Sequence, residues 1–234
     1  IGAAIADALG VAGATVVGTA TTEAGAAAIS ARFAANGIVG TGMALDVGSA
    51  TAVDELIARV TEQFGAPLVL VNNAGITQDN IVLRMKDEEW ARVIDTNLNS
   101  IFRLSKAVLR GMTKARWGRI VNISSVVGSM GNAGQANYAA SKAGMEGFAR
   151  ALAREIGSRA ITVNCVAPGF TMSEGVQAHP EVVDALRDVS VAARTIQRDQ
   201  VPAAVAGAVV FLCTPAADFV TGQTMVIDGG QFFP

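Results

Sequence analysis

The stretch RIVNISSVVGSMGNAGQANYAASKAG (residues 119–144) joins two different structural patterns. Its first part, RIVNISSVV at 119–127, has apolar residues at consecutive positions, which is typical of a parallel strand covered on both faces. The region 137–157 instead follows a helical pattern. A strand, a turn containing glycine and a helix in this order indicate one βα unit of a layered α/β protein.

The same alternation extends over the whole chain. Strands are predicted at 15–20, 37–47, 67–73, 119–127, 161–168 and 224–228. Helices are predicted at 23–35, 49–64, 87–113, 137–157 and 202–213. No linker, charge run or repeat interrupts the sequence, so we interpret residues 1–234 as one domain. The expected fold is α/β, with a doubly wound, Rossmann-like parallel sheet.

The charge balance argues against some classes of partner. Eighteen basic and 20 acidic side chains give a net charge of −2, and the basic residues form no block. Neither nucleic acid nor a membrane surface is therefore an expected partner. The apolar opening IGAAIADALGVAGATVVGTA contains Asp7, Gly10 and Gly13, so we interpret it as a helix, a turn and a strand rather than a membrane span.

Cysteine and histidine usage gives a second constraint. Cys165 and Cys213 lie in apolar runs without CxxC spacing, which indicates reduced thiols in a cytoplasmic protein. His179 is the single histidine, and one histidine cannot form a zinc site by itself. We expect no metal.

Polar and glycine-rich turns follow five of the predicted strands. They are GTAT (18–21), LDV (45–47), NNAG (72–75), ISSVVGSMG (123–131) and APGFT (167–171). The carboxyl ends of parallel strands meet at one edge of the sheet, where ligands bind in folds of this type. Together the turns predict a long crevice that suits a dinucleotide.

Tyr138, the only tyrosine, precedes Lys142 by four positions in a helical pattern. Residues at this spacing lie on one face of a helix. A nearby ammonium favours the phenolate, so we expect Lys142 to lower the pKa of Tyr138 and to make the pair a general acid and base. The alternative is a buried tyrosine beside a solvated lysine.

Ser125 and Asn97 favour the catalytic interpretation. Ser125 directly follows a predicted strand, where its hydroxyl can hydrogen-bond an oxygen that gains charge. Its neighbour Ser124 is expected to point to the opposite face. Asn97 lies inside a predicted helix, where asparagine is unfavourable, so it either has a functional role or marks a kink or a cap.

Four motifs occur together: NNAG (72–75), NISS (122–125), YAASK (138–142) and VNCVAPG (163–169). Through them the chain resembles the short-chain dehydrogenase/reductase family, and it is most similar to the bacterial members that reduce 3-oxoacyl groups on acyl-carrier protein. The resemblance implies that Tyr138 protonates the substrate oxygen as hydride reaches the adjacent carbon. It further implies that Ser125 holds that oxygen, that Lys142 binds the nicotinamide ribose, and that Asn97 holds a water of a proton relay.

The resemblance also implies residues that bind the cofactor. On the adenosine side these would be Asp46, Val47, Asn73, Ala74 and Gly75. On the nicotinamide side they would be Tyr138, Lys142, Pro168, Gly169 and Thr171. Enzymes of this type that use NAD usually have an acid at the end of the second strand, whereas this chain reads GTAT. We therefore expect NADP(H), with Thr21 at the 2′-phosphate.

Two regions depart from the family pattern. The family begins with a strand and a glycine-rich phosphate-binding turn, and this sequence opens on the last glycine of that turn, Gly2. We expect either that the sequence is a piece of a longer chain or that it binds the cofactor poorly. Residues 170–200, the expected substrate lid, have Glu174 where a basic docking residue was expected, although Arg116 matches the other docking arginine for acyl-carrier protein.

Three functions follow from these features. The first is NADPH-dependent reduction of a 3-oxoacyl thioester on acyl-carrier protein or coenzyme A. The second is reduction of free ketones by the same residues, as in a general carbonyl reductase or alcohol dehydrogenase. The third is a dinucleotide-binding scaffold without catalysis. By resemblance we also expect a homodimer or homotetramer formed through the predicted helices 87–113 and 137–157.

Overall fold

A computed structural model describes residues 1–233 of the chain. Its strands are β1 (Val16–Ala20), β2 (Gly40–Ala44), β3 (Val69–Asn72), β4 (Gly118–Ile123), β5 (Ile161–Pro168) and β6 (Thr224–Ile227). Its helices are α1 (Gly2–Val11), α2 (Glu23–Ala35), α3 (Ala50–Phe64), α4 (Asp87–Ile94), α5 (Ser100–Ala115), α6 (Val127–Met130), α7 (Ala136–Ile156), α8 (Glu174–Gln177), α9 (Pro180–Ala192) and α10 (Pro202–Cys213).

The predicted helix boundaries are set by local capping chemistry. Thr22 accepts a hydrogen bond from Gly25 N at 3.1 Å, which fixes the start of α2. Ser49 caps α3 in the same way through Ala52 N, at 3.2 Å. Pro202 occupies the first turn of α10, where its missing N–H is not needed. The predictions of helices at 23–35, 49–64 and 202–213 are confirmed to within one residue.

All strand pairs are parallel, and they form two sheets. One has the order β1-β2, and the other has the order β3-β4-β5-β6. Asn72 of β3 pairs with Asn122 of β4, which pairs with Cys165 of β5, so the carboxyl ends of these strands lie at one edge. The prediction of a Rossmann-like α/β fold is confirmed.

Helices cover both faces of the sheets, as side-chain alternation in the strands requires. In β4, Ile120 packs in the core formed with α5 and α7. The next residue, Val121, packs in the core formed with α1 and α10. On the two-stranded side, Met43 of β2 packs against α3, while Gly42 lies close to the backbone of α2.

A cavity of about 1000 Å³ separates the two sheets. Its walls include residues 16–19 of β1, residues 69–72 of β3 and Leu104 of α5. Within the described residues, β1 pairs only with β2, and β3 pairs only with β4. The facing edges of β1 and β3 therefore have backbone groups without a strand partner.

Three regions differ from the sequence predictions. The strand expected at 119–127 ends at Ile123, and Val127–Met130 form the short helix α6. The helix expected at 87–113 is interrupted by a π-helical turn at Asp95–Asn99. The expected lid at 170–200 contains α8 and α9, which were not predicted.

No helix in residues 1–233 has the length and apolar character that crossing a membrane requires. Both cysteines are free thiols, and burial raises the pKa of Cys165 to about 12 and that of Cys213 to about 11. Both groups are therefore protonated near neutral pH.

Candidate active site

The end of β4 and one face of α7 bring the predicted catalytic residues together. β4 ends at Ile123, so Ser125 lies in the turn at the carboxyl edge of the four-stranded sheet. Tyr138 and Lys142 lie one turn apart on α7, and the Lys142 Nζ is 5.4 Å from the centre of the Tyr138 ring. The spacing argument therefore placed both side chains on the correct face.

The Tyr138 phenol faces the Ser125 hydroxyl. Burial raises the pKa of Tyr138 above its ordinary value of 10.0, hydrogen bonding with Ser125 opposes this shift, and the nearby Asp79 adds to it. The expectation that Lys142 lowers the pKa of Tyr138 is wrong for this structure, because burial is the largest effect. The phenol consequently keeps its proton near neutral pH.

Lys142 is almost fully enclosed, with 4% of its surface exposed. Its Nζ donates a hydrogen bond to Ile123 O at 2.7 Å, which ties α7 to the end of β4. Burial lowers the pKa of Lys142 to about 8. The solvated lysine of the alternative interpretation is therefore excluded.

Asn97 is fully buried in the π-helical turn. Its Oδ1 accepts from Ile76 N at 2.8 Å, and its Nδ2 donates to Ile76 O at 3.0 Å and to Ser141 Oγ at 3.1 Å. The side chain thus connects the loop after β3 to α7. Both hydrogens of the Asn97 amide already have protein acceptors.

The NNAG turn lies directly against this group. A Cβ atom at Gly75 would be 3.3 Å from Asn97 Oδ1 and 3.6 Å from Lys142 Nζ, so glycine permits the close approach. Asn73, Ala74 and Gly75 are exposed at the end of β3. Their backbone is available to a ligand at the carboxyl edge.

Gly2 joins the start of α1 to the same turn. A Cβ atom at Gly2 would be 2.6 Å from Asn73 Nδ2, so a larger residue would require the Asn73 side chain to move. The first turn of α1 and the turn after β3 therefore form one surface, at a helix amino terminus suited to anions.

Three of the residues expected on the adenosine side, Thr21, Asp46 and Val47, follow the strands of the two-stranded sheet, whereas Gly75, also expected on that side, lies beside Lys142. Thr21 is exposed just after β1. Asp46 is exposed after β2 and accepts from Gly48 N at 2.9 Å, with the half-buried Val47 between them. The structure places these three residues at the carboxyl edge of the two-stranded sheet.

The residues expected on the nicotinamide side follow β5. Pro168 is buried at its end, and Gly169 N donates to Ile227 O at 2.9 Å. Thr171 is buried and donates through its hydroxyl to Gly169 O at 2.9 Å. Thr171 therefore stabilises the turn where the lid region begins.

These positions fit a dinucleotide. Exposed residues at the ends of β1, β2 and β3 lead along one edge to the protonated phenol and the buried amine on α7. The glycines at positions 2 and 75 allow the backbone to lie close to Asn73 and to Asn97. The catalytic candidates do not line the cavity between the sheets, so we assign the reaction to the edge rather than to the cavity.

Two polar residues that lie near the site were not predicted from the sequence. Ser141 is fully buried and accepts from Asn97, while its own hydroxyl donates to Tyr138 O at 2.7 Å. Glu146 is buried against Ser124. The available signal for Glu146 was its spacing, since it follows Lys142 by four positions on the same helix.

Arg116 lies at the opposite edge of the sheet. It is exposed, has a left-handed backbone conformation (φ 52°) and directly follows α5. The six residues of β4, about 20 Å of strand, separate this edge from Ser125. Arg116 is therefore remote from the catalytic group of its own chain.

Comparison with known proteins is consistent with this geometry. The family model described as enoyl-(acyl carrier protein) reductase matches residues 1–231. The 3-oxoacyl-[acyl-carrier-protein] reductase of Pseudomonas aeruginosa is 54% identical over 232 residues, which cover 99% of this chain and 93% of the relative. The proteins of the same name from Vibrio cholerae and Escherichia coli are 51% and 49% identical, with the same coverage. The chain therefore belongs to the short-chain dehydrogenase/reductase family.

Proposed function

We propose that this protein is an oxidoreductase that reduces a 3-oxoacyl thioester, carried on acyl-carrier protein or coenzyme A, to the 3-hydroxyacyl form. The observation that carries the proposal is the arrangement of Ser125, Tyr138 and Lys142 at the end of β4, connected through Asn97 to the turn after β3. The identity of about 50% to reductases of this name supports the same substrate class.

In this proposal, the phenol of Tyr138 donates a proton to the substrate oxygen. A bound reduced nicotinamide would supply hydride to the adjacent carbon. The Ser125 hydroxyl hydrogen-bonds that oxygen, and the Lys142 amine binds the nicotinamide ribose. The raised pKa of Tyr138 keeps the phenol protonated near neutral pH, which is the form that reduction needs.

We further propose NADPH as the reductant. Thr21 is exposed at the end of β1 and provides a neutral hydroxyl where a carboxylate would repel a 2′-phosphate. Asp46 and Val47 lie at the neighbouring strand end, where an adenine would contact them.

We also propose that the protein acts as a homodimer or homotetramer. Arg116 lies at the edge of the sheet opposite Tyr138, so it would contact a carrier protein only at the site of a neighbouring copy. Docking through Arg116 therefore depends on oligomerisation.

Reduction of a free ketone is a second candidate. Glu174, at the start of α8 in the proposed lid, has an acidic side chain where an acidic carrier protein would favour a basic one. This charge is the specific observation that favours a substrate without a carrier.

The two candidates are separated by following NADPH oxidation with acetoacetyl thioesters and with simple ketones. We expect the thioester on acyl-carrier protein or coenzyme A to have a kcat/KM at least about a hundredfold above that of a free ketone, since remote binding energy contributes to the transition state. A preference for free ketones would reject the thioester proposal and support the second candidate.

A further inference from the structure

Ser124 and Glu146 form a buried polar contact directly behind the catalytic residues. The Ser124 hydroxyl donates to Glu146 Oε1 at 2.9 Å and lies 3.3 Å from Lys142 O. Only 3% of Ser124 and 9% of Glu146 is exposed. A carboxyl group removed from water is unfavourable unless it is hydrogen-bonded, so a residue of this kind at this position calls for a reason beyond packing.

The position of Glu146 on α7 suggests that reason. Tyr138, Lys142 and Glu146 follow one another at intervals of four, so they form one stripe along the helix. Ser125 lies against Tyr138, the first residue of this stripe, and Ser124 hydrogen-bonds Glu146, the third. Two successive residues therefore contact the same helix face, and the expectation that Ser124 points to the opposite face is wrong. Strand alternation does not apply to this pair, because β4 ends at Ile123 and both serines lie in the turn after it.

Other contacts show how closely this turn is held. Ser124 N donates to Val166 O of β5 at 2.7 Å. A Cβ atom at Gly128 would be 3.1 Å from Ala143 N, so the turn packs onto the backbone of α7. Besides the Lys142–Ile123 hydrogen bond, the Ser124–Glu146 hydrogen bond is a second side-chain contact that joins this turn to α7.

We propose that Ser124 and Glu146 are positioning residues that hold Ser125 against Tyr138 by tying the end of β4 to the active-site face of α7. The inference rests on the proposed function only in taking Tyr138 as the proton donor. A displacement of about 1 Å at such a contact is enough to reduce a rate by orders of magnitude.

The single tyrosine makes the contact directly measurable. Phenolate absorbance in an alkaline titration reports Tyr138 alone. The groups that face the phenol are Ser125 from the turn after β4, Lys142 from α7 and Asp79 from the loop after β3. Of these groups, Ser125 is the one that lowers the pKa of Tyr138. Moving Ser125 away from the phenol should therefore raise the midpoint of the Tyr138 titration.

The test is therefore a titration of Ser124→Ala, Glu146→Leu and Ser125→Ala, with circular dichroism to confirm folding at each pH. Ser125→Ala removes the hydroxyl itself and should give the largest rise in the Tyr138 midpoint. We expect Ser124→Ala and Glu146→Leu also to raise this midpoint, by about half a pH unit. Ser124→Ala added to Ser125→Ala produces no further shift, because it acts through Ser125. Glu146→Gln keeps an acceptor oxygen and retains the wild-type midpoint.

Ser105→Ala is the matched control. Ser105 is equally buried, but its hydroxyl has no hydrogen-bond partner among the described residues, so its loss leaves the midpoint unchanged. An unchanged midpoint in Ser124→Ala, or a shift that persists in the Ser125→Ala background, would overturn the inference.

Turnover gives an independent readout. Ser124→Ala and Glu146→Leu are expected to lower kcat about tenfold while the KM for NADPH changes less than about twofold, since the cofactor contacts remain. The titration needs no substrate. If the wild-type chain fails to reduce thioesters but the midpoints shift as stated, the proposed function is rejected and the positioning role stands. Normal turnover with unshifted midpoints rejects the positioning role alone.

Discussion

The four-stranded and two-stranded sheets differ in burial and in the roles of their residues. Every residue of β4 and β5 is buried, and each of these strands pairs on both sides. No residue of β1 is fully buried, and β1 pairs on one side only. The proposed proton chemistry uses residues beside the first sheet, whereas the proposed contacts of Thr21, Asp46 and Val47 with the cofactor lie beside the second. The two roles should therefore respond separately to mutation.

The largest expected difference is in hydrogen exchange. Amides of β4, such as Val121, should exchange about a thousandfold more slowly than those of β1, such as Val17, which corresponds to about 4 kcal/mol in opening free energy. The reason is that β4 lies between two paired strands, while β1 has one edge on the cavity. Exchange followed by mass spectrometry or NMR on the intact chain measures this ratio.

Equal protection in β1 and β4 would contradict this comparison, since it would mean that both sheets open as one cooperative unit. Amides of β5, such as Val166, provide the internal control because Val166 pairs with both Ile123 of β4 and Met225 of β6. They should exchange as slowly as those of β4.

The second prediction concerns Lys142→Met, which tests whether burying the Lys142 amine beside the four-stranded sheet lowers the stability of the protein. Burial lowers the pKa of Lys142 from 10.5 to about 8, so the folded state disfavours the ammonium. Below about pH 8 the variant should be more stable by about 2 kcal/mol, after allowing for the lost hydrogen bond to Ile123. Turnover should fall at least about a hundredfold.

The pH dependence fixes the sign of this effect. Between pH 8 and 10.5 the unfolded wild-type chain binds more protons at Lys142 than the folded chain. The free energy of unfolding of the wild type therefore rises with pH relative to that of Lys142→Met. Urea unfolding near pH 7 and near pH 10 measures the two differences. A stability advantage of the variant that is the same at both pH values would show that burial of the charge is not its cause.

The smallest prediction concerns the two-stranded side. Thr21→Asp should lower the preference for NADPH over NADH about tenfold or more, because a carboxylate there repels the 2′-phosphate and accepts from a ribose hydroxyl. Thr21 is exposed, so thermal stability should change little. The ratio of kcat/KM values for the two cofactors is the measurement.

Thr22→Asp is a matched control, since it adds the same charge one residue later and keeps an oxygen that can cap α2. It should leave the cofactor preference within about threefold of wild type. If Thr21→Asp also leaves it unchanged, the assignment of Thr21 to the 2′-phosphate is wrong.

Much of the fold could be predicted from local patterns. The strand 161–168 and the helices 23–35 and 202–213 have the predicted bounds, because their apolar runs and caps are local signals. The spacing of Tyr138 and Lys142 was also sufficient, since a helix fixes which residues share a face. The NISS motif placed Ser125 directly after a strand, and the structure has it there, after β4.

The remaining features depend on contacts between distant segments. The pKa of Tyr138 is raised rather than lowered because surrounding elements bury it, and sequence spacing carries no measure of that burial. The π-helical turn is stabilised where Asn97 reaches Ile76, 21 positions earlier. The Ser124–Glu146 contact likewise spans 22 positions and requires β4 and α7 to be packed.

Whether the Tyr138 phenol is the proton donor of a reductase is tested by the turnover of Tyr138→Phe with NADPH and an acetoacetyl thioester. We expect a kcat about a thousandfold below wild type, with unchanged NADPH binding and thermal stability, because only the hydroxyl is removed. A Tyr138→Phe enzyme with a kcat within about threefold of wild type would contradict it.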